Sequence, residues 1–94
     1  MKKKISILGS TGSIGENTLK IIKKDKKNFE ILLLSTNKNI NKIFKQAKEF
    51  KVKNLIISDL KSFQKAQIKS KKSKVKVYNN FNNLDKIFRK KMTL

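Results

Sequence analysis

The chain has no cysteine, histidine, proline or tryptophan, and its 94 residues include only three glycines and six acidic side chains. Without Cys there is no disulfide, no thiol nucleophile and no zinc–thiolate site. Without His the commonest general base and metal ligand is gone. The longest apolar run, Ile31-Leu32-Leu33-Leu34, is far too short to cross a bilayer. Met1-Lys2-Lys3-Lys4 is basic, but Ile5-Ser6-Ile7-Leu8 is too short for a signal-peptide core and runs straight into Gly9. No membrane partner is expected, and the cytoplasm is the expected compartment. The six acids, Glu16, Asp25, Glu30, Glu49, Asp59 and Asp85, are scattered along the chain with no metal-ligand clustering. No catalytic or metal-binding residue is assigned.

What is abundant is lysine. The net charge is +19, and of 25 basic residues only Arg89 is an arginine. Nucleic-acid sites favour arginine forks and aromatic platforms. Here the lysines cover the whole chain, and the six Phe and Tyr78 fall mostly at core positions. Lys, Asn and Ile share A/T-rich codons, so genome bias accounts for the pattern. Nucleic acid is expected to bind only weakly, non-specifically and in a salt-sensitive way.

Short apolar segments alternate with longer segments of helical period. Strands are expected at Ile5–Leu8, Phe29–Ser35, Asn54–Ser58 and, more exposed, Lys74–Tyr78. The first of these reads as buried on both faces. Helices are expected at Ser13–Lys24, with Ile14, Leu19, Ile21 and Ile22 inward, and at Asn39–Phe50, with Ile40, Ile43, Phe44, Ala47 and Phe50 inward. Asn39 is a plausible N-cap of the second, Asp59 of a third over Leu60–Ile68; Leu84–Met92 completes the set. Such alternation implies a parallel sheet with right-handed crossovers. The fold class is α/β: a Rossmann-type parallel sheet with alternating helices, incomplete at about four strands, one half of a doubly wound fold.

All three glycines lie in one heptapeptide, Gly9-Ser10-Thr11-Gly12-Ser13-Ile14-Gly15, between the first strand and the first helix. That context gives the G-x-x-G-x-x-G spacing its meaning. Gly9 permits the tight turn, Gly12 lets the backbone approach a pyrophosphate, and Gly15 lets helix pack on strand. The helix N-terminus adds free N–H groups and a positive dipole, and Ser10, Thr11 and Ser13 add hydroxyls. No Gly-Lys-Ser/Thr follows, which excludes a Walker-type loop.

An NAD site places an acid about 20 residues past the last glycine to bind the ribose 2′-hydroxyl. That stretch is Ser35-Thr36-Asn37-Lys38-Asn39, without an acid. A base among small polar groups suits the 2′-phosphate of NADPH, with Lys38 as its partner and Asn37 or Asn39 adding hydrogen bonds.

Ile7 to Gly15, followed by Thr18-Leu19, closely resembles the N-terminus of the 1-deoxy-D-xylulose 5-phosphate reductoisomerase family. The likeness runs from about Lys4 to Asp59, through Lys38-Asn39, Gln46-Ala47 and Glu49-Phe50. It implies that Thr11, Gly12, Ser13 and Ile14 line the NADPH pyrophosphate. It also aligns Asn37-Lys38-Asn39 with the family's Gly-Lys-Asn. Asn37 stands in place of a glycine there, and asparagine tolerates left-handed backbone better than most residues. The resemblance further implies isomerisation of a sugar phosphate on a divalent metal, Mg or Mn. Hydride transfer from NADPH then gives 2-C-methyl-D-erythritol 4-phosphate, in non-mevalonate isoprenoid biosynthesis. The family's Asn-Lys-Glu segment, acidic metal ligands, catalytic domain and homodimer contacts have no counterpart in this sequence. The chain therefore reads as residues 1–94 of an NADPH-binding domain, inactive alone, and its end as a truncation or frame slip.

Three rivals remain. Another NADP-dependent reductase, of the semialdehyde dehydrogenase or short-chain type, would show a catalytic Cys or a Tyr-x-x-x-Lys downstream. A small basic nucleic-acid-binding protein would hold DNA at moderate salt. A remnant that never folds would show no cooperative melt, with or without NADPH.

Overall fold

The computed structural model describes residues 2–83; the helix expected at Leu84–Met92 lies outside them. The chain runs β1 (Lys3–Ile7), α1 (Ser13–Lys23), β2 (Phe29–Thr36), α2 (Ile40–Phe50), β3 (Asn54–Ile57), α3 (Leu60–Ser70), β4 (Lys76–Tyr78), with 3-10 turns at Lys26–Asn28 and Phe81–Asn83. The strands form one parallel sheet in the order β1-β2-β3-β4. Every expected element within the described residues is present, most with ends shifted by one or two positions. The two 3-10 turns were not foreseen.

Helix boundaries follow local chemistry. Asn39 Oδ1 accepts from the Lys42 N–H at the start of α2, and Asp59 accepts from the Ser62 N–H at the start of α3, each satisfying a donor that the helix itself leaves free. α2 stops where Lys51 turns left-handed, at φ 57°, and the Val52 N–H folds back to the Ala47 carbonyl.

One apolar cluster joins all three helices to the sheet. Leu19 and Ile22 come from α1, Ile43 and Ala47 from α2, and Ala66 from α3; the sheet supplies Ile7, Ile31, Leu34, Leu55 and Ile57. The helices thus share one face of the sheet. That follows from topology, since right-handed crossovers stepping always in one direction land on the same side. Leu33 and Ile56 are also buried, and alternation with their clustered neighbours puts them on the opposite face.

Two sequence expectations are corrected. β1 is not buried on both faces: among the described residues it lies at the sheet edge, paired only with β2, with Lys3, Lys4 and Ser6 exposed. Leu8 falls outside the strand and is 61% exposed. In α1, Leu19 and Ile22 are buried but Ile14 (84% exposed) and Ile21 (68%) are not. The inward stripe is Gly15-Leu19-Ile22, with the bare Gly15 close against the loop at Gly9 and Ser10; Ile14 and Ile21 lie two turns apart beside it.

Candidate functional site

The glycine heptapeptide joins β1 to α1 beside the end of β2. The three glycines differ in what the fold asks of them. Gly9 has φ +68°, the left-handed turn that a side chain strains. A Cβ on Gly15 would collide with the Gly9 carbonyl and lie 2.6 Å from Ser10 Cα, so Gly15 lets α1 sit against the loop. A Cβ on Gly12 would meet only the Gly9 carbonyl oxygen, at 3.4 Å. The fold makes little steric demand for glycine here, and the bare backbone leaves room for close approach by a ligand.

Gly12 is also the N-cap of α1 and offers no side-chain cap. Among the described residues the N–H groups of Ser13, Ile14 and Gly15 have no hydrogen-bond partner, and neither has that of Thr11. α2 and α3, by contrast, are capped by Asn39 and Asp59. Unpaired donors and the positive end of α1 meet at one turn, a ready seat for an anion.

The base of the loop is tied down. The Gly9 N–H donates to Ser35 Oγ at 2.9 Å and the Ser10 N–H to the Ser35 carbonyl at 2.9 Å. Ser10 is fully buried, its hydroxyl donating to Gln46 Oε1 at 2.7 Å. Sequence reading gave that hydroxyl to a phosphate; the structure commits it inward, so Ser10 builds the loop rather than offering its side chain to a ligand. Thr11 Oγ1 lies 2.7 Å from Thr36 Oγ1. The side chains of Ser13 and Ile14 are exposed.

The second half of the site follows β2. Asn37, Lys38 and Asn39 are all exposed and flank the glycine loop through Ser35 and Thr36. Asn37 Oδ1 accepts from Ser58 Oγ at 2.8 Å, and its carbonyl accepts from the Asp59 N–H. Asn39 Oδ1 is occupied as the cap of α2. Among the described residues Lys51 is the only non-glycine with positive φ, so Asn37 needs no left-handed backbone. The carboxyl of Asp59 is held below its ordinary 3.8, mainly by hydrogen bonds from the Ser62 hydroxyl and N–H, with Lys38 and Lys61 adding charge. The structure thus sets an acid near Lys38 although positions 35–39 contain none. Gln46 and Ser35 were also missed as parts of the loop. A polar residue inside the apolar stripe Ile43-Ala47-Phe50 was the signal for Gln46.

Among the described residues no group of three His, Cys, Asp or Glu side chains could hold a metal ion. No described helix is long and apolar enough to cross a membrane.

A family model described as 1-deoxy-D-xylulose 5-phosphate reductoisomerase matches residues 5–93. A curated relative with that description, from Pelagibacter ubique, is 58% identical over 86 residues, covering 92% of this chain and 22% of the relative. Another, from Halothermothrix orenii, is 49% identical over 57 residues, covering 61% and 15%. The chain thus spans about a fifth or less of the length of these relatives. The Zymomonas mobilis reductoisomerase in complex with NADPH superposes with TM-score 0.81 at 24% identity, covering 93% of this chain and 23% of that one. A DOX-P reductoisomerase in complex with magnesium gives 0.78 at 25%, covering 93% and 22%.

Proposed function

The chain belongs to the 1-deoxy-D-xylulose 5-phosphate reductoisomerase family, and on that premise we propose that it binds NADPH across the glycine loop and the end of β2. The observation that carries this reading is the uncapped start of α1, with unpartnered N–H groups beside a Gly12 that the fold itself hardly needs. The pyrophosphate would lie on Thr11, Gly12, Ser13 and Ile14, with Gly9, Ser10 and Gly15 shaping the turn beneath it. The 2′-phosphate would meet Lys38, with Asn37 and Asn39 presenting their free amide N–H groups, since their side-chain oxygens are already used. NADPH supplies a hydride when bound; these residues bind and orient it.

The whole protein's activity is part of the same proposal: isomerisation of 1-deoxy-D-xylulose 5-phosphate and NADPH-dependent reduction to 2-C-methyl-D-erythritol 4-phosphate. The described residues do not fit the divalent metal of that reaction, so no step is assigned to one here. Residues 1–94 serve as the NADPH-binding part, working in a cytoplasmic homodimer. Nucleic acid binds only through diffuse charge.

Titration with NADPH and NADH by fluorescence tests the reading. Saturable NADPH binding, at least tenfold tighter than NADH, is expected from a charged phosphate partner, worth about 1.5–3 kcal/mol. Absence of saturable binding to a folded protein would sink it.

A further inference from the structure

We propose that Gln46 is a positioning residue for the phosphate-facing loop, aiming the peptide between Ser10 and Thr11; this rests on reading that loop as the cofactor site. Gln46 is buried on the inward face of α2, between Ile43 and Ala47. An unsatisfied carboxamide in such a place is costly, and here both its ends go to one residue. Nε2 donates to the Ser10 carbonyl at 2.9 Å, and Oε1 accepts from the Ser10 hydroxyl at 2.7 Å. With the Ser10 N–H on the Ser35 carbonyl, every polar atom of Ser10 is held.

The carbonyl matters most. A trans peptide is planar, its N–H antiparallel to its C=O. By fixing the Ser10 carbonyl toward α2, Gln46 turns the Thr11 N–H the opposite way, and that N–H has no partner among the described residues. Thr11 is the residue from which the chain climbs into Gly12 and the free donors of α1. An apolar side chain of the same length would fill the stripe equally well but would leave this peptide free to rotate.

The test compares wild type, Gln46→Met and Gln46→Glu for NADPH and NADH affinity, with amide hydrogen exchange at Thr11–Ser13 in the absence of cofactor. Gln46→Met should melt cooperatively, lose about tenfold in affinity for both cofactors, and exchange the loop amides faster. Equal loss is the signature, because pyrophosphate is common to the two. Gln46→Glu adds a readout that simple packing would not move. A neutral carboxyl can accept from the Ser10 hydroxyl and donate to the Ser10 carbonyl, whereas the ionised form can only accept. Its affinity relative to wild type at the same pH should be close to one at about pH 5 and fall toward about pH 8. Glu16, Lys20 and Lys23 of α1 and Lys42 and Glu49 of α2 face this region and are present in both proteins, so their titration cancels in the ratio.

Affinities of Gln46→Met within twofold of wild type, a loss confined to NADPH, or a pH-independent ratio for Gln46→Glu would each overturn the proposal. If Gln46→Met does not fold, the Gln46→Glu profile decides. If wild type binds neither cofactor, the cofactor reading fails on its own and loop exchange decides: faster exchange in Gln46→Met supports the positioning role, and unchanged exchange refutes it.

Discussion

Thr11 and Thr36 meet hydroxyl to hydroxyl, 2.7 Å apart, so the tip of the glycine loop is fastened to the last residue of β2. Replacing Thr36 with Val keeps the shape and removes the bond. We expect stability to fall by about 1 kcal/mol, read as a lower melting temperature, and NADPH affinity to fall a few-fold.

Gly12 and Gly15 should part company. Gly15→Ala places a methyl against Ser10 backbone and should destabilise the fold by about 2–3 kcal/mol. Gly12→Ala should melt close to wild type yet bind NADPH poorly, and Gly12→Val should abolish binding. Thermal melts set beside cofactor titrations separate the two effects; a Gly12→Ala protein that binds normally would remove Gly12 from the site.

Lys38→Ala should weaken NADPH about tenfold or more while leaving NADH nearly unchanged, as removal of a 2′-phosphate partner requires. Equal weakening of both would move the 2′-phosphate elsewhere.

Acid should lower the melting temperature. Lys23, hydrogen-bonded to Glu49 at 2.8 Å, holds that carboxyl below its ordinary 4.5, and the Ser62 donors do the same for Asp59 from 3.8. A depressed folded value means stability that is full above the unfolded value and lost as pH falls through the folded one. Melting temperature should therefore drop between about pH 5 and pH 3, and the drop should shrink in Asp59→Asn.

Lys51 ends α2 with a left-handed backbone that glycine adopts freely. Lys51→Gly should raise stability by about 1 kcal/mol, visible as a higher denaturation midpoint.

Periodicity and punctuation made the strand–helix order legible, because three glycines mark the first turn and Asn39 and Asp59 mark the next two helix starts. The glycine loop was legible for the same reason. What stayed hidden depended on neighbours. The exposure of β1 comes from its edge position, which no local pattern encodes. Ile14 and Ile21 look like core in sequence, but α1 sits with Gly15 against the loop at Gly9 and Ser10 and turns the Leu19-Ile22 stripe inward. The inward turn of the Ser10 hydroxyl depends on Gln46, 36 positions away, and the nearness of Asp59 to Lys38 depends on β3 lying beside β2.

The sequential strand order has a kinetic consequence. Among the described residues each strand pairs with the one synthesised just before it, across a single helical crossover, so these pairings join neighbours in sequence. A ribosome adds about 5–20 residues per second, whereas a helix forms in about a microsecond. α1 can therefore sample its helix many times before β2 is complete, and each new strand emerges next to the one it pairs with. Among the described strands, order of synthesis and order in the sheet coincide.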